Sequence, residues 1–428
     1  LFVVVCLTRC EEARISRIKD EVLHAMFPNE LVLENRNRGM TPARPPISGT
    51  AQNPGVDFTG SEGSNNLYTA VPGIVQEMMD KFASLTGREY HLVDYIGDEN
   101  AENVIVAMGS ACETIEETLP YLPTNVGLLK VHLYRPFPTE AFLAALPKSV
   151  KRIAVLDRTK EPGALGEPLY QDVKTVVDGN IEVFGGRYGL GSKEFKPRDV
   201  KAVAENLLLG TLHHNFTVGI EDDLTKLSLK TDPAFRIEPT VGSPRAALLY
   251  GIGSDGTVGA VKNIVKIIGD NSEMYPQSYA VYDSKKSGGL TASHLRFWDR
   301  PIQAQYLVES ADFISVSNFM IAQRFDVFRA LTPGGTVMIN TGLEPETAFA
   351  NLPKQTQEHL IRLRARVFFL NANAAAAELG LGNRINTFIM LNFFNLTNII
   401  DPKIASQNAK DAIEKTYKKK GADVVAAK

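Results

Sequence analysis

The residues Gly251-Ile252-Gly253-Ser254-Asp255-Gly256 lie between an apolar stretch at 246–250 and an amphipathic one that starts at Thr257. In that setting the G-x-G-x-x-G spacing predicts a strand, a tight turn and a helix start. Glycines let the backbone turn sharply and approach a phosphate, whose charge then meets the unsatisfied N–H groups of the helix. Thr257 adds a hydroxyl at the same point. The competing reading is a turn with a purely structural purpose. After the next predicted strand comes Asp283-Ser284-Lys285-Lys286-Ser287-Gly288-Gly289. An acid alone there would suit the hydroxyls of a ribose. Two lysines and two serines suit a ribose phosphate better, because an ammonium is a strong point-charge partner. A solvated basic loop is the plain alternative. NADP and coenzyme A are the candidate ligands.

Other constellations carry less. Cys6 and Cys10 lie too far apart for a C-x-x-C pair, and no histidine follows at zinc-finger spacing. Cys112 falls at a predicted strand-to-helix junction, where small-residue packing outweighs nucleophilic catalysis. His213 and His214 precede the acidic run Glu221-Asp222-Asp223, but adjacent side chains on a strand diverge, so no metal is assigned. The loops at 49–54 and 188–193 are rich in turn residues and read as structural. No Ser/His/Asp or Cys/His arrangement is legible, and no catalytic residue is assigned. The GDG-plus-asparagine pattern of a thiamine diphosphate site is missing.

The elements that must position these groups follow from periodicity. Residues 11–27 and 69–85 carry apolar side chains at helical spacing, while 35–53 reads as loop. Apolar runs at 104–108, 126–133 and 152–156, separated by amphipathic segments, predict stacked βαβ units on a parallel sheet. Further strands are predicted near 279–282, 313–316, 336–340 and 367–370, with helices at 320–331 and 386–395. The fold class is therefore α/β, with two consecutive domains, each a mainly parallel sheet flanked by helices. The boundaries read as an N-terminal segment at 1–59, a first domain at 60–205, a connector at 206–244 and a Rossmann-like domain at 245–428.

Composition bounds the function. The 428 residues fit two to four domains. A net charge of −3 argues against a general nucleic-acid binder. Three cysteines point away from a disulfide framework and cannot supply the roughly four thiolates of an iron–sulfur cluster. No apolar run is long enough for a transmembrane helix. The chain starts at Leu1 rather than Met, so it is expected to be part of a longer one.

Longer wording adds to this pattern. The stretches GTAQNP, VIVAMGSACETIEE, VHLYRPFP, RIAVLDRTKEPGALGEPLYQDV, YGIGSDGTVGAVKN, YDSKKSGGLTASHLRF and NRINTFIM occur in this order. From about residue 49 onward the sequence resembles pyruvate:ferredoxin (flavodoxin) oxidoreductase. The first 48 residues resemble it poorly. The resemblance implies a transketolase C-terminal-like domain at 60–205 and a γ-type, coenzyme A-binding domain at 245–428. Gly253, Ser254, Asp255, Gly256, Thr257 and Val258 would meet the coenzyme A phosphates, with Lys286, Ser287, Arg384 and Asn386 lining the same site.

In that family a homodimer decarboxylates pyruvate oxidatively to acetyl-CoA. Thiamine diphosphate carries the carbanion chemistry, [4Fe–4S] clusters carry the electrons, and ferredoxin or flavodoxin accepts them. The motifs for the first two are not in these residues, so the isolated chain is expected to be inactive and to supply coenzyme A binding and scaffolding. The alternatives are a non-catalytic paralogue, or the same domains in a fused pyruvate:NADP oxidoreductase or a sulfite-reductase flavoprotein. A free-standing NADP-binding protein is a weaker third. The expected location is the cytoplasm or a mitochondrion-derived organelle.

Overall fold

A computed structural model describes residues 12–13, 17–45, 49–123, 125–221, 224–237, 245–253, 255–282, 289–380 and 385–417. The chain divides into two compact units. The first runs to Ile237, and the second takes the remainder of the chain together with the two-residue strand Glu12–Ala13.

The first unit opens with the helices Asp20–Met26, Asn29–Asn37 and Pro54–Gly63, then α1 (Asn65–Thr86). Helix α1 stops at Gly87, whose φ of 72° is a left-handed cap that costs glycine little. The rest is β1 (Val93–Gly97), β2 (Asn103–Ala107), α2 (Ser110–Thr118), β3 (Val126–Val131), α3 (Thr139–Ala145), β4 (Arg152–Asp157), α4 (Pro168–Val176), β5 (Glu182–Arg187), α5 (Pro197–Leu209) and β6 (Phe216–Thr217). The sheet order is β1-β3-β2-β4-β5-β6, with only β1 antiparallel.

The apolar runs produce this arrangement by alternation. Val104 and Val106 face one core while Ile105 and Ala107 face the other, and Ile153/Val155 and Ala154/Leu156 repeat the split on β4. Helices α3 and α4 close the first face through Phe142, Leu169 and Val173; α2 and α5 close the second. Each fully buried Val, Ile, Leu or Phe contributes roughly 1.5–3 kcal/mol. Cys112 is buried in the second core beside Ala111 and Ile115.

The second unit contains β7 (Arg245–Ile252), α6 (Thr257–Asn271), β8 (Tyr275–Tyr282), β9 (Leu290–Trp298), β10 (Ala311–Val316), α7 (Phe319–Arg324), β11 (Leu331–Asn340), α8 (Pro345–Ala350), α9 (Lys354–Arg362), β12 (Arg366–Leu370), α10 (Ala372–Glu378), α11 (Asn386–Thr397) and α12 (Pro402–Tyr417). Glu12–Ala13 edges the sheet, followed by β8-β9-β7-β10-β11-β12. Strands β7, β10, β11 and β12 run parallel, while β9 is antiparallel to both its neighbours. Helices α6 and α11 pack together over one face, where Ile264 and Ile268 meet Ile389 and Phe393.

Four expectations differ from this. The second sheet is only half parallel, because β9 is inserted between β7 and β8 and pairs with both. The helix expected over 11–27 is confined to Asp20–Met26: Glu12–Ala13 pairs with Gln277 and Ser278, and Lys19 is extended. The helix expected over 320–331 stops at Arg324, where Phe325 turns extended, and Leu331 begins β11. The segment read as a connector also supplies β6, an edge strand of the first sheet. Among the described residues no helix is long and apolar enough to cross a membrane.

Candidate functional site

In an open α/β sheet, the crevice beyond the carboxyl ends of the parallel strands collects ligands where the chain crosses in opposite directions. In the second unit that point is β7, from which α6 leads to β8 on one side while β10 lies on the other. The glycine turn sits there.

Its shape is set by Asp255. One carboxylate oxygen accepts from the Ile252 N–H at 2.8 Å and from the Ser317 hydroxyl at 2.5 Å; the other accepts from the Thr257 N–H at 2.8 Å. The negative charge thus rests at the positive end of α6. Gly251 leaves the room for this: a Cβ there would fall 2.7 Å from Thr257 Oγ1 and 2.9 Å from Asp255 Oδ2. Gly256 adopts φ 90°, and a Cβ on it would come within 3.1 Å of the Asn386 Cβ. The turn is therefore pressed against the start of α11, which places Asn386 beside it.

Thr257 is 2% exposed, and its hydroxyl has no hydrogen-bond partner among the described residues. A buried hydroxyl left unpaired costs about 1–3 kcal/mol, so it marks a place where a further group belongs. The Gly253 N–H donates to the Gly289 carbonyl at 3.3 Å, tying the turn to the residue that precedes β9. Gly253, Asp255, Gly256, Thr257, Val258 and Asn386 are brought together in this way. Ser254, Lys286, Ser287 and Arg384 lie outside the described residues.

Two positioning residues escaped the sequence reading. Ser317 follows β10 and holds Asp255. Asn340 ends β11, donates to the Ser317 carbonyl at 2.8 Å and accepts from the Ala372 N–H at 2.9 Å. The only signal was a polar residue ending each apolar run, in FISVS and VMIN.

The corresponding end of the first unit is built differently. Asp157 accepts from the Leu169 and Tyr170 N–H groups at 3.0 and 3.1 Å, capping α4. Burial drives its carboxyl up to about 6, Glu167 and Asp172 add to the rise, and the two N–H groups oppose it. Arg187 pairs with buried Glu167 at 3.0 Å and donates to the Asn215 carbonyl at 2.9 Å. Arg135 pairs with Asp172 at 2.7 Å. His214 uses both ring nitrogens, one toward the Leu165 carbonyl and one toward the Gly185 N–H.

Comparison with known proteins bears on both units. Residues 101–200 match the family model described as pyruvate:ferredoxin oxidoreductase core domain II, and residues 246–427 match pyruvate ferredoxin/flavodoxin oxidoreductase. The chain is 44% identical to a pyruvate-flavodoxin oxidoreductase of Nostoc sp., with 98% of this chain and 36% of the relative aligned. That alignment takes in most of the first 48 residues. The chain is 48% identical to a pyruvate:ferredoxin oxidoreductase of Moorella thermoacetica, over 97% of this chain and 36% of the relative. It is also 42% identical to a pyruvate dehydrogenase [NADP(+)] of Cryptosporidium parvum, over 98% of this chain and 22% of the relative. The chain thus spans about a third of the length of the first two. Among solved structures, a pyruvate oxidoreductase subunit of Thermotoga maritima aligns over 44% of this chain and 91% of its own, at 15% identity and a TM-score of 0.35. That likeness is too slight to bear on function.

Proposed function

This chain belongs to the pyruvate ferredoxin/flavodoxin oxidoreductase family, and on that premise we propose that its second unit holds coenzyme A for the oxidative decarboxylation of pyruvate to acetyl-CoA. The observation that carries the reading is the buried, unpartnered Thr257 hydroxyl beneath a glycine turn at the start of a 15-residue helix. A pyrophosphate suits this place because it accepts hydrogen bonds and carries the charge that a helix N-terminus favours. Gly253 and Gly256 keep the turn free of bulky side chains, and since Asp255 takes the Thr257 N–H, the anion would meet the remaining first-turn N–H groups, that of Val258 among them. Asp255 acts by holding the turn, since both its oxygens are engaged within it. Lys286, Ser287 and Arg384 complete the reading at the ribose phosphate, with Asn386 packed against the turn.

Thiamine diphosphate and [4Fe–4S] clusters would supply carbanion chemistry and electron transfer in the whole enzyme. The residues here do not fit a cluster: three cysteines fall short of the usual four thiolates, and Cys112 is buried in a core. No electron-transfer step is assigned to this chain. In the whole enzyme we place it in a homodimer that passes electrons to ferredoxin or flavodoxin. The likeness to an NADP-linked pyruvate dehydrogenase supports a second reading, in which the same two units serve an enzyme with a different acceptor.

Titration calorimetry on the full chain tests the coenzyme assignment. Coenzyme A is expected to bind about tenfold more tightly than dephospho-coenzyme A, and Lys286→Ala to abolish that difference. Thr257→Val is expected to weaken both ligands. No binding of either, or equal binding of both, would overturn the reading.

A further inference from the structure

At the opposite, amino end of the same strands lies a cavity of about 180 Å³ that the coenzyme A reading does not use. Its floor is apolar: Phe297 from β9, Phe313 from β10, and Phe393 and Leu396 from α11, with Ile399 beyond. The three phenyl rings pack together, Phe393 meeting Phe313 edge-on at 5.2 Å and Phe297 at 5.9 Å. An apolar cavity of about 150 Å³ stays dry and accepts benzene, so this one has room for a single ring or a branched chain.

The mouth is charged. Arg245 opens β7 and Arg366 opens β12, and both side chains line the cavity. Arg245 donates to the Thr397 carbonyl, and Arg366 donates to the Thr336 hydroxyl at 2.6 Å. These bonds fix the positions of the two guanidinium groups but leave most of their five donors each uncommitted. Neither forms an ion pair with a described residue. Asp312 also lines the cavity, but its carboxylate turns toward the backbone and β11, accepting from the Ala246 N–H at 3.4 Å and the Thr332 hydroxyl at 3.0 Å. Among the described residues, two tethered cations and one anion leave the mouth with a single unmatched positive charge.

We propose that this cavity, with three phenyl rings beneath Arg245 and Arg366, is a binding site for a compact aryl or branched-alkyl monocarboxylate. The ring or branched chain would displace nothing well bound from the apolar floor, and burying it is favourable. The carboxylate would present two oxygens to planar guanidinium forks that match its geometry. One negative charge balances the mouth, whereas a phosphate dianion would exceed it and lacks an apolar body to fill the floor. The site stands apart from the glycine turn and is independent of the coenzyme A assignment.

Benzoate and its neutral isostere benzamide separate the two halves of the claim on the unaltered chain. Calorimetry is expected to show benzoate saturating at millimolar concentrations or below, and benzamide binding at least about tenfold more weakly. Arg366→Gln is expected to bring benzoate down to the level of benzamide, with an unchanged far-ultraviolet circular dichroism melt. Because the benzoate-to-benzamide ratio needs no variant, a failure of Arg366→Gln to fold leaves the test standing. No saturable benzoate binding, or equal affinity for the two probes, overturns the proposal. Full benzoate binding by a folded Arg245→Gln/Arg366→Gln chain also overturns it.

Discussion

In the first unit, the carboxyl end of β4 and β5 is sealed by its own charges. Asp157 caps α4, Glu167 holds Arg187, and Arg187 reaches the Asn215 carbonyl. In the second unit, the same end of β7 and β10 is a glycine turn over a hydroxyl left unpaired among the described residues, steadied by Ser317 and Asn340. Both units bury apolar strands between two helical layers, so the layers do not account for the difference. It lies in whether the groups at the strand ends satisfy one another. Where they do, the end is scaffold. Where one is left over among the described residues, the end is the one we propose for a ligand.

The largest effect that would break this contrast is expected at the sealed end. Arg187→Ala leaves Glu167 buried without its partner, which costs about 3–5 kcal/mol. Trp298, the single tryptophan, is buried in the second unit, so its fluorescence follows that unit alone while circular dichroism follows both. Urea unfolding of Arg187→Ala should show an earlier transition in circular dichroism, an unmoved one in fluorescence and unchanged coenzyme A affinity. Lost coenzyme A binding would mean that the sealed end is not merely scaffold.

Next comes Asp157. From about pH 6 down to the ordinary value of 3.8, the folded carboxyl holds a proton that the unfolded one has released. Its contribution therefore falls as pH rises through that window, by about 2–3 kcal/mol. Asp157→Asn should flatten that limb of the stability–pH curve for the first unit, and an unchanged curve would contradict the burial argument.

At the open end, Gly251→Ala drives a methyl into Thr257 and Asp255. Such overpacking costs about 1–3 kcal/mol and should displace the turn. Calorimetry should register the loss chiefly as weaker coenzyme A binding, and retained affinity would show that the turn does not shape the site.

The smallest effect sharpens the sign. Burial pulls the Asp94 carboxyl upward, but hydrogen bonds and charge from His132 and His91 override it and hold it at about 2. Its contribution is present above about 3.8 and is lost as pH falls toward 2. Because the side chain is 29% exposed and solvent screens the pair, about 1 kcal/mol or less is at stake. Asp94→Asn should lower stability just above that window, at about pH 4–5, and leave it unchanged in strong acid, opposite in direction to Asp157→Asn.

The same contrast explains what was legible beforehand. Strands such as 104–108 and 152–156 announce themselves because both faces are buried and every residue is apolar. The glycine turn is legible because phosphate chemistry and backbone conformation demand the same small residues in a row. Strand β9 was not legible as a strand. Ser293, His294 and Arg296 interrupt its apolar run, yet Ser293 and Arg296 are buried, and Arg296 is satisfied by Gln277 across the sheet at 3.0 Å. Tertiary context overrode local pattern there. Ser317 was hidden for another reason: its partner Asp255 is 62 residues away, and only the folded sheet brings the two together.

Strand β9 also works as a ruler. It stands between β7 and β8, so the glycine turn and the end of β8 are separated by two inter-strand spacings of roughly 4.8 Å each. That gauge is set by backbone hydrogen bonding. Under the coenzyme A proposal, side-chain changes could retune what each end grips without changing how far apart the ends are, and a ligand with two anionic groups would be measured for length before it is read for identity.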